Sequence, residues 1–464
     1  MNALPNDTIA AIATGPGEAG ISVIRVAGRD SLRIADAVFR CKGDVPSRRP
    51  GGTFVYGKVA AAPAPAARET SGILDEAILL IYRAPHSYTR EDAVEIQCHG
   101  GMIAARRVLR RVLDAGARLA DPGEFTKRAF LNGRMDLLQA EAVLDLIRAR
   151  SDYAAQVAVD QLGGALTNLL NSVYDDIMSI VADLEASLDF TEDEIPDKLM
   201  PAITARFSQT RDRVADILSQ WDEGRVLREG ILIVIAGKPN SGKSSLFNRL
   251  LGVSRAIVTP VAGTTRDTIE ESLTVAGAQV RLVDTAGLRA TACDVEREGI
   301  RRAIEQIDAS DVCIYVVDSQ IVLDSYNLEM LKEMDPSRSI VVFNKIDLSC
   351  QVLPRDLPGR TIVRTCMLTG EGVPDLREAI DAKVRSFAMR DGILPVSERH
   401  RQVLIELAEA LGEAIATLSG GREDLVVPTI TSVRQAVNGI ATLTGRIYQD
   451  DLLNQIFSRF CVGK

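Results

Sequence analysis

The sequence predicts a multidomain protein of mixed class, α/β and all-α. An N-terminal α+β domain is followed by a discontinuous helical domain, into which an α/β domain with a doubly wound, mostly parallel sheet is inserted. Three observations carry that expectation. Short β-like runs mix with helical ones up to about residue 130. Apolar residues then recur at spacings of three and four. From residue 229 onward, near-continuous apolar runs alternate with helical stretches. The bounds read from these changes are 1–132, 133–228, 229–385 and 386–464, and a chain of 464 residues has room for three domains.

In the first segment TIAAIA, ISVIRVAG, GTFVYGKVA, EAILLIY and AVEIQC are rich in β-branched and apolar residues and end at glycine or polar residues. The Ala/Pro tract from Ala60 to Ala67 reads as a surface loop, and the stretch from Gly101 to Arg110 as a helix. In the second segment Leu137, Ala140, Leu144 and Ile147 share a helical face. So do Leu166, Leu170, Val173, Ile177, Val181, Leu184 and Leu188. The acidic, proline-broken stretch from Asp189 to Pro196 ends that helix.

The third segment carries ILIVIAG, VRLVDTAG, DVCIYVVD, SIVVFNKID and TIVRT, the texture of parallel strands buried on both faces. In the fourth, Val403, Leu407, Leu411 and Ala414 return to helical spacing. Two helical stretches flanking an α/β domain are most simply one domain interrupted by another, because domain termini tend to lie close together at the surface.

Composition narrows the function classes. Apolar content of 46% fits a globular core, and 4% aromatics make that core aliphatic. The net charge is −9 and no long basic block occurs, unlike a protein that binds RNA through a broad electrostatic surface, so RNA contact must be local, weak alone, or shared with a partner. Arg106, Arg107, Arg110 and Arg111 form one short basic cluster, which reads as a solvated helix face. Seven cysteines without CxxC pairing indicate neither a zinc site nor a disulfide framework and fit a reducing cytosol. The start MNALPNDTIA is unlike a secretory signal, and no apolar run approaches the length of a membrane span, so a cytoplasmic protein is expected.

The chemistry is concentrated in the third segment. Gly237-Lys-Pro-Asn240-Ser241-Gly242-Lys243-Ser244 matches G-x-x-x-x-G-K-[ST] between a strand and the helical run that starts Ser244-Ser245-Leu246. The glycines let backbone N–H groups curl around phosphates at a helix N-terminus. Lys243 would reach the β- and γ-phosphates, and the Ser244 hydroxyl would ligate Mg²⁺.

Asn344-Lys345-Ile346-Asp347 resembles an N-K-x-D motif, in which the Asp347 carboxylate accepts from both N1–H and the 2-amino group of guanine. Asp284-Thr285-Ala286-Gly287 matches D-x-x-G, and Gly263-Thr264-Thr265-Arg266-Asp267 offers Thr265 as a second Mg²⁺ ligand. Four elements in the right order on the right strands make this a Ras-like P-loop GTPase domain. One departure is that Leu288 stands where Ras-like proteins carry the water-orienting glutamine. Asn240 could seat a monovalent cation near the phosphates, and Glu296 could position water. From spacing alone, Glu296 is equally one solvated charge among Asp294, Arg297 and Glu298.

The phosphate loop with Asn240, GTTRD, DTAGLR and NKID together resemble the TrmE (MnmE) family of tRNA-modifying GTPases. The resemblance runs from DTIAAIATGPG to the final Cys461-Val462-Gly463-Lys464. It implies K⁺ held by Asn240 with oxygens of Thr259, Val261 and Thr264, Glu296 as the water-positioning glutamate, and G domains that dimerise face to face on K⁺. It also implies an N-terminal tetrahydrofolate-binding and dimerisation domain. The cofactor would be a 5,10-methylene or 5-formyl tetrahydrofolate, contacted by Arg25, Glu95, Arg134 and Lys464. Without the resemblance, Arg25 and Glu95 could as well be surface charges. Some members have lysine at Arg134, and where the family shows Ser-Ala-x this chain has Cys366-Met367-Leu368 in the last guanine-contact loop. His99 reads as structural beside a glycine turn.

The reaction so implied is addition of a carboxymethylaminomethyl or aminomethyl group to C5 of the tRNA wobble uridine, U34. It would be carried out by a homodimer with an MnmG-type FAD-containing partner; this chain has no G-x-G-x-x-G dinucleotide fingerprint of its own. The alternative is a regulatory GTPase switch, as in ribosome assembly, with no covalent chemistry.

Overall fold

The computed structural model describes residues 7–61, 72–149, 151–188, 199–219, 230–253, 269–276, 278–284, 307, 310–320, 325–348, 357, 359–388, 397–420 and 426–464. Two compact units divide the chain. The first comprises Met1–Leu144, Thr167–Tyr174 and Val437–Lys464; the second comprises Asp145–Leu166 and Asp175–Ala436.

The first unit is built on seven strands: β1 (Ile9–Ile12), β2 (Ile21–Ala27), β3 (Phe39–Cys41), β4 (Thr53–Ala60), β5 (Ile73–Tyr82), β6 (Ala93–His99) and β7 (Arg118–Leu119). They lie in the order β3-β4-β5-β6-β2-β1-β7, antiparallel except where β7 runs parallel to β1. Period-two alternation decides what each face carries. Ala77, Leu79 and Ile81 of β5 point to one face with Ile24, Val26, Val94 and Ile96. Helices α1 (Ser31–Val38) and α2 (Met102–Asp114) cover that face with Ile34, Val38, Val108 and Val112. Each such side chain contributes about 1.5–3 kcal/mol of burial free energy.

On the opposite face the cover is smaller. Phe125, from α3 (Glu124–Leu131), packs on Ile9, Ala27 and Ala93, leaving the neighbouring Arg25–Glu95 pair for polar work. Beneath α3 the Arg128 guanidinium, with only 1% of its side chain exposed, meets Asp7 (2.5 Å), Glu124 (3.0 Å) and Glu91 (3.1 Å). Three carboxylates offset its desolvation.

The basic cluster on α2 departs from the sequence reading. Arg111 is buried rather than solvated, with Nε donating to the Ala60 carbonyl (3.1 Å) and Nη2 to that of Ala37 (2.9 Å). Only Arg106, Arg107 and Arg110 face outward.

Helix α4 (Leu137–Arg148) buries Leu137 and Ala140, but its predicted stripe fades: Leu144 is partly covered and Ile147 is 45% exposed. Leu137 and Ala140 pack with Phe130, Leu453, Phe457 and Phe460, which brings the C-terminal residues into the first unit. Next come α5 (Asp152–Leu162), α6 (Ala165–Leu188) and α7 (Leu199–Ser219). In α6 the residues Leu166, Leu170, Val173, Ile177, Val181 and Leu184 are buried throughout, as the spacing predicts.

The second unit centres on six strands: β8 (Ile231–Ala236), β9 (Ile269–Val275), β10 (Ala278–Asp284), β11 (Val312–Asp318), β12 (Ser339–Asn344) and β13 (Thr361–Thr365). Their order is β13-β12-β11-β8-β10-β9, parallel except for edge strand β9. Helices α8 (Lys243–Val253) and α10 (Val373–Ala388) cover one face through Leu246, Leu250, Leu376 and Ile380. Between them in sequence, α9 (Ser325–Glu333) covers the other, with Met330 and Leu331 against Tyr315 and Phe343. This is the doubly wound sheet expected.

The remaining helices are α11 (Glu398–Ser419), α12 (Val426–Leu443) and α13 (Asp450–Phe457). Ser397 and His400 form a capping box at the start of α11. The phase of α11 differs slightly from the reading: Leu404 is buried with Leu407, Leu411 and Ala414, while Val403 is only partly covered.

Candidate functional site

In the second unit the motif residues gather at the carboxyl ends of the parallel strands, the edge at which open α/β sheets bind ligands. The loop after β8 turns on three residues with positive φ: Gly237 (143°), Asn240 (63°) and Gly242 (101°). A side chain at Gly237 would run into the Val316 carbonyl, and one at Gly242 into the Asn344 amide. Only glycine fits either place. Asn tolerates the left-handed region, which leaves Asn240 exposed at the crest of the loop.

Helix α8 then begins at Lys243, with Leu246 N–H donating to the Gly242 carbonyl (3.0 Å). Lys243 is buried, and its Nζ donates to the Lys238 carbonyl of its own loop (2.8 Å). That cation already sits inside the cradle. The hydroxyls of Ser244 and Ser245 lie in the exposed first turn. Ser241 is buried, and its Oγ has no partner among the described residues.

Three further strand ends converge there. Asp318, Asn344 and Thr365 are register neighbours across β11, β12 and β13. Asn344 is buried and donates from Nδ2 to the Ser241 carbonyl (3.0 Å). Its Oδ1 accepts from Met367 N–H (3.2 Å) and Thr365 Oγ1 (3.4 Å). Lys345 takes φ of 67° and reaches Asp318 Oδ2 at 2.7 Å. Asp347 is exposed beyond that turn.

In the loop after β13, Cys366 is buried; its N–H donates to the Glu371 carbonyl (2.9 Å), and its Sγ accepts from Thr369 N–H (3.4 Å). Leu368 is 85% exposed. Asp284 closes β10 beside Ile235 of β8. Thr259, Val261, Thr264, Thr265, Thr285, Ala286, Gly287, Leu288 and Glu296 lie outside the described residues.

The second constellation is in the first unit. Arg25 and Glu95 are register partners on β2 and β6, joined Nε to Oε1 at 2.8 Å. They line a cleft of about 630 Å³ together with Tyr82, Pro85, Tyr88 and Arg134. The Tyr88 ring lies 4.9 Å from the Arg25 guanidinium and 4.6 Å from that of Arg134, whose Nη1 donates to the Tyr88 carbonyl (2.8 Å). Such stacking fixes two flexible cations in place. Phe125 flanks Arg25 at 5.6 Å.

One guanidinium nitrogen, Arg25 Nη1, is buried and has no hydrogen-bond partner among the described residues. Lys464 belongs to the same electrostatic cluster. Burial and then the Arg25 charge push its amine below the usual lysine range, while Glu95 opposes them. The turn that brings it there has Gly463 at φ of 100°, packed against Ile12 and Ala13 so closely that a side chain would collide with the Ile12 carbonyl. Sequence reasoning missed Tyr88, Phe125 and Asp318, since an aromatic in a loop or in the first turn of a helix and an aspartate ending a strand carry no motif of their own.

Residues 8–134 match the family described as GTP-binding protein TrmE N-terminus, and residues 137–461 match the MnmE helical domain. The chain is 42% identical over 464 residues to the tRNA modification GTPase MnmE of Geotalea uraniireducens, with 99% of each chain covered. The chain belongs to the MnmE family. The MnmE of Geobacter metallireducens is 43% identical over 465 residues, again covering 99% of both chains. Among solved structures, the G domain of the T. maritima FeoB iron transporter is 29% identical, covering 34% of this chain and 99% of that one at a TM-score of 0.26. The match to the MnmE relatives takes in both constellations and the C-terminal turn. No helix among the described residues is long and apolar enough to cross a membrane.

Proposed function

We propose that this chain is a GTP-hydrolysing enzyme of tRNA modification. With an MnmG-type flavoprotein partner, it adds a carboxymethylaminomethyl or aminomethyl group at C5 of U34, drawing the carbon from a tetrahydrofolate derivative. The observation that carries the reading is the Arg25 site. Arg25 lines a cleft of about 630 Å³ and holds a buried guanidinium nitrogen with no acceptor among the described residues, which suits a ligand that brings its own carbonyl or carboxylate oxygen. Arg25, Glu95, Arg134 and Lys464 hold the folate, which supplies the one-carbon unit. Residues 1–132 are the homodimerising, folate-binding domain, 229–385 the G domain, and 133–228 with 386–464 the helical domain.

At the nucleotide site, Lys243 exchanges the Lys238 carbonyl for phosphate oxygens, and the N–H groups from Asn240 to Ser245 line the phosphates. Thr259, Thr264 and the Asp284–Gly287 stretch complete the nucleotide contacts. Ser244 and Thr265 ligate Mg²⁺. Asp347 reads guanine, with Lys345 over the base. Because Met367 N–H is engaged by Asn344, the N–H of Leu368 is the donor left for guanine O6 in the Cys366–Leu368 loop. Asn240, with oxygens of Thr259, Val261 and Thr264, seats K⁺, whose charge does the work of an arginine finger, and Glu296 positions water. Two G domains meet face to face when K⁺ is bound. The enzyme works in the cytoplasm.

Mass spectrometry of tRNA nucleosides from cells lacking the protein tests the reading. The wobble modification should vanish and return with the wild-type gene. An unchanged nucleoside profile would overturn it in favour of a GTPase without covalent chemistry.

A further inference from the structure

A protein of net charge −9 is poorly suited to meet RNA through its whole surface. Its charge is unevenly divided, however. Residues 1–134 hold 19 Lys and Arg against 14 Asp and Glu. The N-terminal segment is therefore net positive, and the remainder of the chain carries all of the acidic excess.

Most arginines of that segment are committed to carboxylates or carbonyls. Arg25 is paired with Glu95, Arg83 with Asp92, Arg118 with Asp7 and Glu124, and Arg128 with three acids. Helix α2 is different. Arg106, Arg107 and Arg110 recur at spacings of three and four, which sets them on one face, and all three are exposed. Arg106 and Arg107 have no carboxylate partner among the described residues. Arg110 reaches only Asp114, at 3.9 Å with both side chains largely in solvent. Such an exposed contact is worth little and is readily given up.

The stripe is also held rigid. Val108 and Val112 are fully buried on the opposite side of the helix, and Arg111 clamps it to the Ala37 and Ala60 carbonyls. Exposed Arg40 lies near Arg111 and extends the positive surface onto β3.

We propose that the Arg106–Arg107–Arg110 face of α2 is the contact surface for the sugar-phosphate backbone of the tRNA substrate. This rests on the tRNA-modification reading above. Exposed guanidinium groups that hold at most one weak carboxylate contact, on a helix anchored by its buried face, suit phosphate oxygens, which accept from their forked N–H donors. Backbone contacts of this kind orient a nucleic acid without reading its sequence.

The test is filter binding of unmodified tRNA to the full-length protein between 50 and 200 mM KCl. It compares wild type, the triple variant Arg106→Glu/Arg107→Glu/Arg110→Glu, and the corresponding triple lysine variant. The glutamate variant should bind at least tenfold more weakly. Its log–log salt slope should be shallower by about two to three, roughly one per lost phosphate contact. Lysine should hold affinity within about threefold, and tRNA-free GTP hydrolysis should be the same in all three.

Wild-type tRNA binding that survives unchanged in the glutamate variant would overturn the surface but leave the tRNA-modification reading standing. So would selective loss of flavoprotein capture, which would assign the stripe to an acidic protein surface. Failure of the wild type to bind tRNA at all would remove both.

Discussion

The side-chain amide of Asn344 donates to the main-chain carbonyl of Ser241 across 3.0 Å, tying the end of β12 to the loop after β8. The same side chain accepts from Met367 N–H at 3.2 Å, so one buried amide braces the loops after β8, β12 and β13, the proposed nucleotide site. Replacing it by alanine strands a carbonyl and an N–H in a region closed to water. Asn344→Ala should lower stability by about 1–3 kcal/mol in denaturant melts. It should also weaken GTP binding at least tenfold in fluorescence titration. Unaltered nucleotide affinity would confine Asn344 to a local packing role.

Asn240 adopts φ of 63° and is exposed at the crest of the loop after β8, the place proposed for a cation. GTP hydrolysis should rise at least tenfold when K⁺ replaces Na⁺, and Asn240→Asp, which tolerates the same backbone, should alter that ratio. Asn240→Ala should abolish most of it. Glu296→Ala should slow turnover at least tenfold while nucleotide affinity holds, the signature of an interaction made in the transition state. Equal rates in both salts for the wild type would end the potassium argument.

Gly463 positions Lys464 by packing on the Ile12 carbonyl with φ of 100°. An alanine there incurs both a collision and a strained backbone, the latter about 1–2 kcal/mol. Calorimetry with 5-formyl-tetrahydrofolate should show Gly463→Ala binding about tenfold more weakly, and Arg25→Ala more weakly still. GTP turnover should be unaffected by either. If neither change alters the binding heat, the cleft at Arg25 does not take folate.

His99 is held by Asp75 twice: its ring Nδ1 lies 2.6 Å from Oδ1, and its backbone N–H donates to Oδ2 at 2.9 Å. The Asp75 hydrogen bond, reinforced by its charge, raises the imidazole above its ordinary value of 6.5. A raised folded pKa means that this contribution to stability is fully present below pH 6.5. It fades as pH climbs through the folded pKa. An NMR titration should place the His99 midpoint above 6.5 and return it toward that value in Asp75→Asn. A midpoint at or below 6.5 in the wild type would contradict the pairing.

Much of this was legible in the chain itself. The α6 stripe from Leu166 to Leu184 is buried residue for residue because a 3.6-residue period leaves one solution for its apolar side. The strand–loop–helix frame around Gly237 to Ser244 was readable because phosphate cradles demand glycine at fixed offsets, and Gly237 and Gly242 do sit where no side chain fits. Phase was harder to read. Val403 and Leu404 are adjacent and both apolar, and only packing decides that Leu404 goes inside. Arg111 looked like its neighbours in the basic cluster, yet it is the residue whose direction from the helix axis meets two free carbonyls.

Sequence alone determined the class of each segment, the identity of the nucleotide motif and the family resemblance, because periodicity and motif spacing are local properties of the chain. Tertiary structure alone decided which distant groups meet. Arg25 and Glu95 are 70 residues apart and become partners only through the β2–β6 register. Tyr88 is stacked by two arginines 109 residues apart, on β2 and in the turn after α3, and Lys464 enters their field from the far end of the chain. Charge and stacking act over a few ångströms of space, and no spacing along the sequence encodes that distance.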